Sequence, residues 1–231
     1  MELFPCLVIP LFLVLAGAVV IFTILKARQR REAMAQLAGE MGWEFYSDAP
    51  WDLPNRYGSF DLFQRGHSRR ADNILAGEID GRAGIAFDYR YTTGSGKDQT
   101  THYRQVVVLE LPILAARLRM RSEGLLDRVA SWVGFDDIDF ESDEFSRRYH
   151  VQCDDRRFAY DIFHARLIDY LLECGDVPDV EMNGPLIALY GRRGDVADVR
   201  RLIRIGEKVV QSIPDYVLKA RGLEREGGGE T

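Results

Sequence analysis

The chain begins with a long apolar segment, Phe4–Leu25, which carries no charged residue and consists mostly of Leu, Val, Ile and Phe. At a rise of about 1.5 Å per residue, a helix of this length extends about 33 Å, enough for a hydrocarbon core of about 30 Å. We therefore predict a transmembrane anchor over residues 1–25. Pro10 is expected to kink this helix or to mark a later start, whereas Pro5 is harmless near a helix start.

A cleaved signal peptide is the competing interpretation, because Ala16-Gly17-Ala18 has the small residues of a cleavage site. A signal peptide carries positive charge before its apolar run, and here only Glu2 lies there. The apolar run also continues from Val19 to Leu25, past that point. The pattern favours a retained, single-pass anchor.

A membrane-flanking basic cluster follows the apolar segment and consists of Lys26, Arg28, Arg30 and Arg31. Because cytoplasmic flanks are enriched in Lys and Arg, we predict that the N-terminus faces outward and that the following domain is cytoplasmic, at the cell membrane. The cluster is also expected to lie against anionic lipid headgroups.

An amphipathic helix is predicted next, within a basic juxtamembrane region over residues 26–45. Its apolar positions recur at the spacing of one helical face: Met34, Leu37, Ala38 and Met41. Gly42 is suited to end the helix. The turn formers of Tyr46–Gly58 predict a loop.

Four strand-like segments come after this loop: Ser59–Gln64, Ile74–Ile79, Ala83–Tyr91 and Tyr103–Leu111. Asp80-Gly81 joins the second and third segments and is a strong signal for a tight hairpin. The third segment alternates, with Ile85, Phe87, Tyr89 and Tyr91 on one face and Asp88 and Arg90 on the other, which predicts a half-buried antiparallel strand. The continuous apolar run Val106–Leu109 predicts a central fourth strand covered on both faces.

The second half of the chain mixes helices and strands. A helix is predicted over Ser122–Val133, a strand over Arg148–Cys153 and a long helix over Arg156–Glu173. Two short strands, Val180–Asn183 and Leu186–Tyr190, are separated by Gly184-Pro185. A last helix begins at the N-cap Asp195 and ends before Pro214.

These elements predict an α+β fold, in which the N-terminal transmembrane helix precedes a mainly antiparallel sheet packed with three to four helices. The globular domain is expected to span residues 46–218. Residues 219–231, glycine-rich and charged, predict a disordered tail.

Composition and charge narrow the classes of partner. The net charge is −6, and beyond Arg31 acidic residues outnumber basic ones. Such a domain is unsuited to nucleic acid, whose binding depends on neutralising phosphates with Lys and Arg. The three cysteines, Cys6, Cys153 and Cys174, have no regular spacing and predict no disulfide framework. The expected partners are the lipid bilayer and a protein, and the oligomeric state is left open.

A phosphate-binding loop is suggested by Gly94-Ser95-Gly96-Lys97, but the pattern is incomplete. Tyr91 stands where the first glycine of a Walker A motif is needed, and Asp98 stands where a Ser or Thr would reach magnesium. We predict a mobile hairpin loop instead.

The sequence does not fit a known metal-binding motif either. An EF-hand loop read from Asp137 would have Ser142 at its glycine position and Arg148 at its final glutamate position. His150 and Cys153 would point to opposite faces of a strand, and the remaining soft ligands are scattered: His67, His102, His164 and Cys174. Gly-x-Ser-x-Gly and His-Glu-x-x-His motifs are absent from the sequence. We therefore assign no catalytic, cofactor-binding or metal-binding residue and expect no cofactor.

Three stretches resemble an uncharacterised bacterial membrane-anchored family, a domain of unknown function. They are Ala76-Gly77-Glu78 leading to Phe87–Lys97 (FDYRYTTGSGK), Asp139–Arg148 (DFESDEFSRR), and Arg157-Phe158-Ala159. The similarity covers about Gly42 to Leu172 and includes the anchor. It implies a membrane-tethered domain and transfers no active site.

Two functional hypotheses remain. The preferred one is a membrane-tethered interaction or sensing domain, with an exposed patch near the Gly94–Thr101 loop and without a deep polar pocket. The alternative is a membrane-bound enzyme whose site is assembled from scattered residues. It requires His150, His102 and several acids to converge in a concave pocket with shifted pKa values.

Overall fold

The computed structural model describes residues 4–49, 52–122 and 137–223, with side chains from residue 13 onward. The helices in these ranges are α1 (Phe4–Met41), α2 (Leu53–Arg56), α3 (Asp61–Gln64), α4 (Asp143–Arg148), α5 (Arg156–Ile162), α6 (Ala165–Cys174), α7 (Val196–Gln211) and α8 (Asp215–Arg221). The strands are β1 (Glu44–Asp48), β2 (His67–Ile79), β3 (Arg82–Thr93), β4 (Thr100–Ser122), β5 (Tyr149–Cys153) and β6 (Asp179–Arg192). The predicted helix Ser122–Val133 lies almost wholly outside the described residues, and Ser122 itself ends β4.

Helix α1 unites two elements that the sequence pattern predicted separately, the apolar segment and the amphipathic helix. It begins at Phe4, so a later start at Pro10 is wrong. Its large apolar side chains from Leu13 to Leu25 are exposed.

In the part of the chain described here, no helix combines the length and the apolar character needed to cross a membrane.

The C-terminal third of α1 packs on the sheet. Met34, Leu37 and Ala38 are buried, which confirms the predicted helical face. The helix ends where Gly42 adopts a φ of +69°, a conformation that glycine reaches without steric cost.

The sheet is antiparallel throughout, with the order β1-β2-β3-β4-β5, and β6 pairs with β4 on its other side. The prediction of a central fourth strand is confirmed, since β4 has neighbours on both sides and Val106–Leu109 is buried. The Asp80-Gly81 hairpin is confirmed as well. Both residues have positive φ, 51° and 71°, as a tight primed turn requires.

Two predictions before β2 are wrong. Ser59–Gln64 is not a strand, because Asp61–Gln64 forms α3 and buries Leu62 and Phe63 side by side. The predicted loop Tyr46–Gly58 contains the end of β1 and also α2, which Asp52 caps by accepting a hydrogen bond from the Asn55 N–H. Short elements of this kind depend on tertiary packing more than on local periodicity.

The later half brings three further corrections. The predicted helix Arg156–Glu173 is broken at Phe163-His164 into α5 and α6. The two short strands around Gly184-Pro185 are one strand, β6, which passes this point with an irregular register and a φ of +57° at Gly184. Helix α8 extends to Arg221, so the tail predicted over residues 219–231 is wrong at its start, and its residues 224–231 lie outside the described part of the chain. The final long helix is confirmed as α7, with a capping box between Asp195 and Asp198.

Two apolar cores lie on the two faces of the sheet. The smaller one is aromatic and includes Phe63, Phe87, Tyr89 and Tyr91, covered by α2 and α3. The larger one joins the opposite face to α1 and to the helices from α4 to α8. The predicted alternation of the third strand is thus confirmed for its aromatic face.

The indole of Trp43 packs so closely on Gly77 that it leaves no room for a side chain there. A Cβ at Gly77 would lie 2.3 Å from Trp43 Cδ1. Trp43 cannot withdraw freely, because it is buried and its Nε1–H donates to the Glu78 carbonyl oxygen at 3.3 Å. This contact gives a packing reason for the glycine in the Ala76-Gly77-Glu78 stretch.

We predict that Gly77→Ala lowers the free energy of unfolding by about 1–3 kcal/mol, the usual cost of overpacking a core. The matched control is Gly39→Ala, in the exposed face of α1, where an added Cβ meets nothing within 4 Å. That variant should gain about 0.5–1 kcal/mol from helix propensity. Urea denaturation followed by tryptophan fluorescence distinguishes the two. Equal stability of the two variants would refute the Trp43 contact.

Candidate ligand cleft

Strand β6 folds back on itself. The Tyr190 hydroxyl donates a hydrogen bond to the Glu181 carboxylate, although the two residues are nine positions apart in the same strand. In a straight strand that separation is about 30 Å. The register of β6 against β4 shifts between Glu110 and Leu118, opposite Gly184. This irregularity bends the β4–β6 pair and lets Glu181 and Tyr190 share one face.

The fold-back brings both ends of β6 to one cleft beside α7, with a volume of about 340 Å³. Its lining combines apolar surface with charged groups of both signs: Arg104, Arg192, Arg201, Asp176, Asp179 and Asp198. The cleft is therefore of mixed character, unlike the two cores. The preferred hypothesis expected no deep polar pocket, and a cleft of mixed lining leaves that expectation a prediction.

Helix α7 and the segment before β6 hold several of these groups in place. Asp198 Oδ2 accepts the Asp195 N–H at 2.8 Å as part of the capping box. Arg201 donates to the carbonyl oxygen of Asp176 at 2.6 Å, and also to that of Cys174. These contacts tie α7 to the chain that enters β6.

Gln105 lies in the wall of the cleft and is 1% exposed. Its Nε2 donates to the carbonyl oxygens of Gly194 at 3.2 Å and Asp195 at 2.8 Å. Two carbonyl acceptors fix the orientation of the amide, since only the NH₂ group can face them. The opposite atom, Oε1, is buried and has no hydrogen-bond partner among the described residues.

A buried ionic cluster lies next to the cleft and is formed by Asp61, Glu181 and Arg119. Arg119 Nη1 donates to Asp61 Oδ2 at 2.8 Å, and the Asp61 N–H donates to Glu181 Oε2 at 2.8 Å. Arg117 contacts the other oxygen of Asp61 at 3.2 Å. The cluster joins α3 to β4 and β6.

Burial shifts the acids of this region. It raises the pKa of Asp179 from its usual 3.8 to about 6, although the charges of Arg65 and Arg104 oppose the shift. Burial, followed by the negative charge of Asp61, raises the pKa of Glu181 from 4.5 to about 7. The pKa of Tyr190 is raised well above its usual value, chiefly by burial. Burial thus favours the protonated form of Glu181 over a wider pH range than for an exposed carboxyl.

Arg30 connects α1 to the cleft. Its Nε and Nη2 donate to the two oxygens of Asp88 at 2.6 Å each, and its Nη1 donates to the Gly194 carbonyl oxygen at 2.7 Å. Asn73 donates a further hydrogen bond to Asp88. The same Gly194 carbonyl oxygen accepts a hydrogen bond from Gln105 Nε2, so α1 and the wall of the cleft both contact the loop that contains Gly194.

The basic cluster predicted from the sequence is therefore divided. Lys26, Arg28 and Arg31 are exposed along α1, and their contact with lipid headgroups stays a prediction. Arg30 is turned towards the domain, with 15% of its side chain exposed. Its role in the fold is to pair with Asp88.

The histidines do not converge. His150 contacts Asp137 at 2.9 Å near the end of β4, where it pairs with Arg121. His102 contacts Thr93 Oγ1 at 2.8 Å near the start of β4 and stacks on Tyr91. His150 and Cys153 lie on opposite faces of β5, as expected from their spacing. The requirement of the enzyme hypothesis that His102 and His150 meet is not fulfilled.

The other sequence motifs lie at turns and surfaces. The Gly94–Thr101 segment forms an exposed hairpin connection between β3 and β4, with a short 3₁₀ turn over Gly96–Asp98. The acidic stretch before Arg148 leads into α4, where Arg148 pairs with Glu144 one helical turn earlier.

The acids of the cleft gave only a weak signal in the sequence. Asp179 and Glu181 alternate with Val180 and Met182, a pattern typical of a strand with one face in solvent. The fold-back of β6 covers that face instead. No motif in the sequence marks this fold-back.

No protein family and no curated protein matches the sequence. Among solved structures, the chain is similar to the mycobacterial trehalose monomycolate transport factor A, with a TM-score of 0.58 and 14% sequence identity. The match covers 81% of this chain and 97% of the transport factor. At this identity the similarity shows a common α+β fold.

We predict that Glu181 makes the fold less stable as pH rises. Its pKa in the folded chain exceeds the unfolded value, so the folded state holds the additional proton between about pH 4.5 and 7 and loses that advantage above. Glu181→Gln removes the titration. The free energy of unfolding of the variant minus that of wild type should therefore be more favourable to the variant at pH 8 than at pH 5, by on the order of 1–3 kcal/mol.

Urea denaturation of both proteins at the two pH values measures this difference. Glu32→Gln, at an exposed position of α1, is the control and should show the same difference from wild type at both pH values. A pH-independent difference for Glu181→Gln would show that this carboxyl does not titrate in the range.

Proposed function

We propose that the chain is a membrane-tethered binding domain that acts as an accessory factor and not as an enzyme. The observation that carries this proposal is the exposed apolar part of α1. Leu13 and Phe22 are 64% and 66% exposed, and the large apolar side chains between them are exposed to a similar degree. Contiguous apolar surface of this kind marks contact with a membrane or another protein.

The charge-free run of the sequence supports insertion of this part of α1 in lipid as a single-pass anchor. The apolar segment Phe4–Leu25 lies at one end of the helix, and the other end is docked on the sheet through Met34, Leu37 and Arg30. The exposed Lys26, Arg28 and Arg31 follow the apolar segment directly. By the positive-inside rule, the domain then faces the cytoplasm and the N-terminus faces outward.

The similarity of fold supports an accessory role in transport. The related structure is a transport factor for trehalose monomycolate, and its fold extends over most of this chain. We infer that this domain likewise serves the movement of a membrane lipid, through a protein partner in the same membrane. Membership of the uncharacterised membrane-anchored family is part of the same proposal.

The enzyme alternative has less support. Asp179 and Glu181 have raised pKa values near a cleft, as catalytic acids do. However, the residues that line the cleft include no histidine, serine-histidine pair or metal-ligand set in the described part of the chain. The cleft is better suited to binding than to catalysis.

Tethering is tested by fractionating cells that produce the full chain. We expect wild-type protein to stay with the membrane after carbonate washing, and Val20→Asp/Phe22→Asp to move to the soluble fraction, because charges oppose insertion in the hydrocarbon core. The control is Leu114→Asp/Tyr216→Asp, which adds the same charges at exposed apolar positions of the domain and should stay with the membrane.

Orientation is measured in intact cells with Lys97→Cys, at an exposed site of the β3–β4 connection, after replacement of the three native cysteines. A membrane-permeant thiol reagent should label it in intact cells, whereas an impermeant reagent should not. Carbonate release of wild-type protein, or labelling by the impermeant reagent, would contradict the proposal.

A further inference from the structure

We propose that the cleft beside α7 binds a neutral, polyhydroxylated ligand of one or two sugar rings, with Gln105, Asp179 and Arg192 as its polar contacts. This inference goes beyond the proposed tethering and does not rest on it. It follows from the hydrogen-bonding groups in the wall of the cleft, from their charges and from its size.

The first argument is the unsatisfied oxygen of Gln105. A buried carbonyl oxygen without a hydrogen-bond donor costs about 1–3 kcal/mol, so such atoms are rare in folded proteins. The two contacts of Nε2 with backbone carbonyls prevent the amide from turning to relieve it. The atom is closed to solvent, so a ligand would reach it only if the wall of the cleft moves, and would then have to supply a donor.

The second argument is the balance of charge. Three guanidinium groups offer only donors, and three carboxylates offer mainly acceptors. A phosphate or carboxylate ligand would be repelled by the aspartates, and a metal ion would be repelled by the arginines. A hydroxyl group suits partners of both signs, because it donates one hydrogen bond and accepts two.

The third argument is the availability of the groups at the mouth of the cleft. Arg192 is exposed at the end of β6, and its side chain makes no hydrogen bond or ion pair with the described residues. Asp179 is held more deeply and accepts the backbone N–H of Ser122. A ligand with several hydroxyls can therefore contact both without breaking an ion pair between them.

The size and the apolar part of the wall agree with this class. The volume of about 340 Å³ lies at the lower end of the range of about 300–1,000 Å³ for small-molecule sites. Leu202 and Ile205 of α7 add an apolar surface, which suits the C–H faces of a sugar ring. The same chemistry fits a free sugar and the headgroup of a glycolipid.

The test uses the full chain in a detergent without a sugar headgroup, such as an amine oxide, so that the detergent cannot occupy the cleft. Titration calorimetry with trehalose and with maltose should show saturable binding with one site per chain. Arg192→Ala and Asp179→Asn should each weaken it about tenfold or more, the usual effect of removing one hydrogen bond to a charged group. Arg193→Ala should leave it unchanged, because Arg193 stacks on Tyr103 and does not line the cleft.

Vesicles that contain digalactosyl diacylglycerol provide the second arm and distinguish the two sources. If these vesicles capture more of the chain than plain phosphatidylcholine vesicles do, and Arg192→Ala removes the difference, the ligand is the headgroup of a lipid. Binding of free sugar alone supports a soluble ligand. Three outcomes would overturn the proposal: binding of neither the free sugars nor the glycolipid vesicles, binding of inorganic phosphate only, and sugar binding that is unchanged in Arg192→Ala. Circular dichroism verifies that the variant is folded.

Discussion

A buried, bidentate ion pair between Arg30 and Asp88 fixes the position of the N-terminal helix on the sheet, and the functional layout depends on this contact. Only 3% of the Asp88 side chain is exposed. Removing one partner of such a pair leaves a charge without compensation in the interior and typically costs about 3–5 kcal/mol. Helix α1 is therefore attached as a rigid element and not through a flexible linker.

The attachment also reaches the cleft. Arg30 and Gln105 donate to the same carbonyl oxygen of Gly194, in the loop between β6 and α7. The docked part of α1 and the wall of the candidate site are thus joined by two hydrogen bonds through one backbone group. If the apolar segment inserts in a bilayer as proposed, the cleft is held at a fixed height and rotation relative to the membrane.

Much of the local structure follows from the sequence pattern, whereas the site does not. The Asp80-Gly81 hairpin, the aromatic face of β3 and the capped helix α7 arise from neighbouring residues and were predicted. The fold-back of β6 depends on a register shift against β4, and α3 depends on the burial of Leu62 and Phe63 in the aromatic core. These are long-range effects, so Asp179 and Glu181 appeared in the sequence as ordinary solvent-facing charges, and Arg30 appeared as part of the membrane-flanking basic cluster.

Rigidity of the helix on the domain is the central claim, and a distance measurement tests it most directly. Spin labels would be placed at the exposed positions Lys26 and Arg166, after replacement of the three native cysteines, in the full chain in lipid nanodiscs. Double electron–electron resonance should give one narrow distance distribution. A broad or multiple distribution would show a hinge between the apolar segment and the domain, and would contradict the account.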